Sequence, residues 1–413
     1  MTQLTDDCFA FGGALLPLAQ AQTRIAALFA PVVGTERVPV WQAAGRILAH
    51  SVIAPLNLPP YANSAVDGYA FRHADLTPGA ASVLPITGRL AAGQTPGDVP
   101  TGHAIRIFTG AVLPKGIDTV MMQEDSVVTD GHVQLPPGLK RGANARPAGE
   151  DIAKGDLALP AGRRLTPPDL ALLAGLGMAE VAVRRPLRVV VFSTGDELAE
   201  PPTPLSPGRI YDANRAMLLG LLTRLGALVQ DGGILPDQQD ATAAALRRAA
   251  SESDLIFTSG GVSTGEEDHV RAAITEAGAL EFWRVGIKPG RPVALGQIGG
   301  VPLLGLPGNP VAALVTFTAL GRPLLDRLSG ADYLPPPCLL ARSAFAYRKK
   351  TGRLEYVRVT LDAEGVAHRF PKEGAGIITS LTEGHALMLL PEEMTHLQLG
   401  DSAPVIPLGL LYI

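Results

Sequence analysis

Along residues 14–30 (ALLPLAQAQTRIAALFA) apolar positions recur at three- and four-residue steps, so the spacing predicts a helix. Residues 38–56 read as a short helix with an extended exit ending in NLPP. Between 60 and 145 the period changes. Short runs such as ASVLPITGRL, HAIRIF, DTVMMQED and HVQLPP are cut by Gly/Pro turns, the pattern of a small all-β module. Residues 164–180 return to helix. Pro167 and Pro168 stand at its start, where a missing N–H is no loss.

From residue 187 strand and helix alternate. The valine-rich run LRVVVF is followed by ANRAMLLGLLTRLG, then ALVQDGGIL, ATAAALRRAASES, DLIFTSGG, EEDHVRAAITEAG, FWRVGI, VPLLGLPG and NPVAALVTFTALGRPLLDRL. Apolar β runs joined by helices imply a mostly parallel sheet covered on both faces. After Leu334 the run PPPCLL marks a boundary, and 338–413 hold short strands of a second β domain. The chain therefore reads as α/β plus β multidomain, with no fixed-period repeat. Pro292 to Gly321 carries no charge and could span a bilayer by length. Pro302, Pro307 and Pro310 would break a lone helix there, so the stretch reads as strand, turn and buried helix.

Composition narrows the function classes. The 413 residues suffice for about two to four domains. Lys+Arg is 35 and Asp+Glu is 39, so no basic excess exists to hold a nucleic-acid backbone. Two cysteines, Cys8 and Cys338, exclude a disulfide framework and fit a cytoplasmic protein. The N-terminus has no Lys or Arg before Arg24, so it lacks the basic region of a secretion signal.

In an open α/β sheet, ligands bind beyond the carboxyl ends of the strands. Ser193-Thr194-Gly195-Asp196-Glu197 follows one strand. Ser259-Gly260-Gly261-Val262-Ser263-Thr264-Gly265 follows another, with Asp268 opening a helix. Leu306-Pro307-Gly308-Asn309-Pro310 follows a third. Three turns of small residues and hydroxyls at one sheet edge expose backbone N–H groups, which make an anion site. Neither GxGxxG nor a Walker P-loop is present, so an ordinary nicotinamide or P-loop nucleotide site is not supported. Asp196, Glu197 and Asp268 would repel phosphate unless a cation stood between them, and Mg²⁺ is a natural bridge. Lys288 and Arg291, in VGIKPGRP, could neutralise the remaining charge. The bland alternative is helix capping for Asp268 and solvation for the others. A second cluster, PPYANSAVDGYAFR, gathers Asn63, Ser64, Asp67 and Tyr69. It reads as a turn on composition alone, as do the segments around Thr109 and Asp151.

Together these segments resemble the molybdopterin molybdenumtransferase family, the MoeA type that includes the C-terminal domain of gephyrin. The matching strings are NSAVDGYAF, FTGAVLPKGIDTVMMQED, RPAGEDIAKGD, FSTGDEL, GRIYDANRAML, TSGGVSTGEEDHV, IKPGRP, LPGNPVAALVTF and TGRLEYVR, in family order. The resemblance implies four domains. Domain I, helical and discontinuous, would take 1–59 and 146–182, and the β-rich insert, domain II, 60–145. A MogA-like α/β molybdopterin-binding domain III would take 183–331, and a β-barrel domain IV 332–413. It implies insertion of molybdenum from molybdate into adenylylated molybdopterin, with Mg²⁺-dependent release of AMP, by a cytoplasmic homodimer in transient contact with a molybdopterin adenylyltransferase.

The resemblance also assigns residues. Asp67, Thr109 and Asp151 match its DGY, TGA and GED segments, with Arg146 at the upstream basic position. Glu197 matches GDEL and Asp268 ends the SGGVSxGxxD signature; both would hold Mg²⁺, with Asp237 a looser third. Gly260, Gly261, Ser263 and Gly265 would cradle the pterin-side phosphate. Arg284 and Lys288 match the positions before and within IKPG, Pro307 and Pro310 those of LPGNP, and Ser380 a serine of domain IV. Three departures stand out. Val66 replaces a common methionine, Arg284 a common lysine, and Pro147 with Ala148 the basic residues often found before GED. Rival readings are a molybdopterin adenylyltransferase or pyrophosphatase on the same α/β domain, and a pterin-binding scaffold without turnover. Tungstate is not separable from molybdate by sequence.

Overall fold

The structure, a computed structural model, describes residues 15–235, 238–262, 274 and 278–412. Its centre is a six-stranded sheet. The strand order is Leu228–Leu235, Arg188–Thr194, Leu255–Ser259, Val301–Leu306, Ala294–Ile298, Gly278–Trp283. The first three pairings are parallel and the last two antiparallel. Side chains alternate across a strand. Val189 and Val191 accordingly enter one core with Leu218, Leu222, Leu320 and Leu324. Val190 and Phe192 enter another, with Ala243 and Leu246. Helix burial on both faces explains why RVVVF is apolar throughout.

The proline-rich apolar stretch resolves as the sequence implies. It holds strands Ala294–Ile298 and Val301–Leu306 and then a buried helix opened by Pro310. Among the described residues no helix is long and apolar enough to cross a membrane. Helix Leu18–Leu28 buries Ala21 and Ile25, four apart on one face, in the core of the α/β unit. Gln22 ties it down by donating to the Ala319 carbonyl at 2.9 Å.

The chain on either side of the β insert zips together. Thr35–Pro39 pairs with Glu180–Arg184, Val52–Ile53 with Leu157–Leu159, and Asn63–Ser64 with Ala145–Arg146, all antiparallel. Helix Pro167–Gly175 completes this unit, packing Leu173 against Leu48, Leu165 and Val183. The short helix read within 38–56 is only a 3₁₀ turn at Val40–Gln42. Pro39 precedes it, and Gly45, at φ 76°, turns the chain away soon after. The insert is a second six-stranded sheet, Thr119–Met122, Gly68–Phe71, Ala104–Ile107, Ser82–Leu90, His132–Leu135, Val127–Thr129.

The C-terminal sheet runs Leu339–Arg342, Ser402–Pro407, Ala386–Leu390, Leu354–Leu361. Its edge is completed by a two-residue strand from the α/β stretch. Ile287–Lys288 lies parallel to Leu354–Leu361, with Ile287 opposite Leu354 and Lys288 opposite Glu355.

Candidate active site

The first group of nominated residues gathers on the turn that enters the insert. Asp67 Oδ1 accepts from the Thr109 amide at 2.8 Å and from its hydroxyl at 2.7 Å. Those two bonds, with Arg106 nearby, hold the Asp67 carboxyl below the usual carboxylate range. Gly68 is required beside it, since a Cβ there would lie 1.8 Å from the Met121 carbonyl oxygen. Arg146 joins the group through pairing with Asn63. Asp151 comes close along the chain, its amide donating to the Leu58 carbonyl at 3.0 Å. Both side chains are exposed.

The second group sits at the carboxyl ends of the central strands. Gly260, at φ 92°, donates its amide to Leu306 at 2.9 Å, and a Cβ on it would lie 2.5 Å from the Thr194 carbonyl oxygen. Gly261 follows at φ 66°. Gly308 comes within 3.9 Å of the Gly260 Cα, measured from where its own Cβ would stand. Asn214, from the start of helix Ala213–Arg224, fastens these turns together. Its side-chain amide donates to Ser259 Oγ at 2.8 Å and to the Gly308 carbonyl at 2.7 Å. Asn214 Oδ1, Ser193 Oγ and Thr258 Oγ1 are buried here without partners among the described residues, an uncommon state for polar atoms. Arg215, the next residue, is clamped by Asp212, Asp231 and Glu200, which fixes the helix start. Glu197 is exposed on the neighbouring turn and folds back over Gly195, φ 140°.

The third group lines a cavity of about 520 Å³ between the α/β unit and the C-terminal sheet. Six cations face it: Lys288, Arg291, Arg348, Lys349, Lys350 and Arg353. Among the described residues the single carboxylate there is Glu355. Pro307 and Asn309 form part of its wall. Lys288 Nζ donates to Glu355 Oε2 at 3.1 Å and lies 5.9 Å from the Tyr347 ring centroid. Burial and the Glu355 charge push the Tyr347 phenol up, while burial pulls the Lys349 ammonium down. A smaller cavity of about 190 Å³ shares Lys288 and Glu355 and adds Arg358, Arg369 and Lys372.

Other nominated residues fall around these groups. Pro310 opens its helix, whose Val311 amide donates to Ala375. Arg284 holds a left-handed backbone at φ 81°, a cost that a bulky residue bears only where its surroundings fix it. Ser380 is fully buried and donates to the Ile377 carbonyl at 2.6 Å, so its hydroxyl is engaged within its own turn. Asp237, Ser263, Gly265 and Asp268 lie outside the described residues. Among the described residues no three His, Cys, Asp or Glu gather as a metal centre. Asn214 and Glu355 were not singled out by the sequence. Asn214 lies in the first turn of a helix capped by Asp212, and Glu355 in the strand Leu354–Leu361, where neither stands out by spacing.

Three sequence families tile the chain. The MoeA N-terminal region (domain I and II) matches 16–177, a probable molybdopterin binding domain 190–327, and the MoeA C-terminal region (domain IV) 341–408. A molybdopterin molybdenumtransferase of Haemophilus influenzae is 38% identical over 400 residues, covering 95% of this chain and 98% of its own. Molybdopterin molybdenumtransferase 2 of Mycobacterium tuberculosis is 36% identical, covering 89% and 94%. The crystal structure of the molybdopterin biosynthesis moeA protein from Pyrococcus horikoshii OT3 superposes with a TM-score of 0.82 at 28% identity, covering 95% of this chain and 100% of that one. Matched over most of its length in sequence and fold, the chain belongs to the molybdopterin molybdenumtransferase family of enzymes, which places it in molybdenum cofactor biosynthesis.

Proposed function

We propose that the protein inserts molybdenum from molybdate into adenylylated molybdopterin and releases AMP, giving molybdenum cofactor. The observation that carries this is the shared wall formed by 306–309. On one side Gly308 meets Gly260 and Asn214 at the strand-end turns; on the other Pro307 and Asn309 line the cationic cavity. A phosphate-binding edge and a pocket for a small dianion are thus back to back. The amides of Gly260 and Gly261 receive the pterin-side phosphate, and Asn214 keeps that turn in place. Lys288, Arg291 and Arg353 attract molybdate and hold it by charge-assisted hydrogen bonds beside the dithiolene sulfurs.

The exposed Glu197 carboxylate, with Asp196 adjacent, offers oxygen donors of the kind Mg²⁺ takes. Asp268 and Asp237 are the further candidates. When bound, Mg²⁺ supplies charge neutralisation at the diphosphate during AMP release. Asp67, Thr109, Asp151 and Arg146, on the other arm of the molecule, complete the site of a second subunit in a cytoplasmic homodimer.

AMP release from adenylylated molybdopterin, measured with Mg²⁺ and with or without micromolar molybdate, tests the reading. Release that requires molybdate, with molybdenum retained on the pterin, is the expected result. Release indifferent to molybdate would mean a pyrophosphatase, and tight pterin binding without release a scaffold. Glu197→Ala is expected to abolish metal-dependent AMP release with the melting temperature unchanged.

A further inference from the structure

We propose that Glu355 is a positioning residue that aims the Lys288 ammonium into the cationic cavity and so sets its affinity for the oxyanion. This inference rests on the function proposed above. Glu355 is 1% exposed, yet it lines a cavity whose other charged groups, among the described residues, are all cations. Burying a carboxylate is costly, and the cost is offset only if both oxygens find donors. They do. Oε2 accepts from Lys288 Nζ at 3.1 Å and from the Tyr347 hydroxyl at 2.9 Å, and Oε1 accepts from Arg353 Nε at 3.2 Å. Two of the cavity's six cations are therefore held by one carboxylate.

The backbone reinforces that hold. Lys288 faces Glu355 in the parallel pairing that carries Ile287–Lys288 onto the C-terminal sheet. Just beyond, Gly290, at φ 114°, is pressed against the helix Pro310–Thr316, where a Cβ would come 2.3 Å from Thr316 Oγ1. The lysine backbone is thus fixed on both sides. Its long side chain, about half exposed, is anchored by the buried Glu355, with a longer bond of 3.4 Å to the Tyr347 hydroxyl. A lysine ammonium is a point charge on a flexible stem, so its direction must come from such a partner.

Two roles for Glu355 predict opposite signs. If it only balances charge, removing its charge should tighten anion binding. If it positions Lys288, removal should weaken binding although the cavity becomes more positive. Calorimetric titration with molybdate separates them. Glu355→Gln is nearly isosteric and is expected to bind molybdate about ten-fold more weakly than wild type, the loss of a charge-assisted bond. Glu355→Asp keeps the charge and shortens the reach; it too is expected to bind more weakly, which a balancing role would not produce. Lys288→Ala should show a loss at least as large, and Glu355→Gln added to Lys288→Ala should cost less than a further two-fold, because coupled groups are not additive.

Unchanged or tighter binding by Glu355→Asp, or full additivity in the double variant, overturns the positioning role. If Glu355→Gln does not fold, Glu355→Asp and Lys288→Ala decide alone. A wild-type protein that binds no molybdate overturns the proposed function and this inference with it. Wild-type binding with unaffected variants overturns this inference only.

Discussion

Asn214 shows how much of a site can depend on one side chain. It is 6% exposed, and its amide spans two turns that leave different strands. Asn214→Ala would leave Ser259 Oγ and the Gly308 carbonyl without that donor, at a cost of about 1–3 kcal/mol. The expected outcome is a lower urea midpoint and a larger fall in AMP release, because the Gly260 turn loses its brace. A variant with wild-type turnover would show that the turn is held without it. Gly290→Ala makes a complementary case. Both the left-handed φ and the 2.3 Å approach to Thr316 Oγ1 oppose a Cβ. About 1–3 kcal/mol of stability should be lost, together with molybdate affinity, since Lys288 lies two residues away. The sequence exposed the strand-end turns through their glycines and hydroxyls. It did not expose Asn214, whose role exists only because a helix start crosses over two loops, and crossings leave no periodic trace.

Elements were legible in proportion to their length. Among the described residues from 188 to 329 the strand–helix alternation follows the apolar periods, since both faces of the sheet are covered, and the helix read at EEDHVRAAITEAG lies almost wholly outside them. Asn63–Ser64 with Ala145–Arg146, and Ile287–Lys288 with Leu354–Leu361, escape such reading because two residues carry no period. Yet these short pairings bring Arg146 to the Asp67 turn and Lys288 to Glu355. The helix Pro167–Gly175 announced itself better. Thr166 and Asp169 form a capping box, and Arg163 donates to the same carboxylate at 3.0 Å. Burial alone would raise the Asp169 carboxyl, but the bonds from Arg163 and Thr166 outweigh it and hold it below its ordinary range. A depressed carboxyl stabilises the fold above its unfolded pKa of about 3.9, and that stability is lost as pH falls through the native value. Asp169→Asn should therefore cost about 1–2 kcal/mol at neutral pH. The gap to wild type should close below about pH 4. Thermal unfolding across pH 2–7 measures both; a gap independent of pH would mean that the charge of Asp169 contributes nothing.

At the scale of the whole molecule, a buried carboxylate helps fasten the N-terminal unit to the α/β unit. Asp326, on helix Arg322–Ser329, accepts from Arg164 at 3.0 Å and from Arg322 at 2.8 Å. Arg164 comes from the limb that returns from the β insert, and it also donates to the Gly45 and Leu225 carbonyls, one from each unit. Burial lowers the Arg164 guanidinium from its ordinary value, and Asp326 is the charge that opposes this. Beside the contact, Burial and Asp326 together push the Tyr333 phenol up to about 12. Asp326→Ala would leave two guanidinium groups facing each other in a poorly hydrated junction, a loss of about 3–5 kcal/mol. Removing Arg164 as well should recover part of that loss, because Arg322 then no longer faces a second guanidinium across the junction. Calorimetry on the single and double variants reads the recovery directly. A double variant as unstable as the sum of the singles would show that the carboxylate acts through packing and not through its charge.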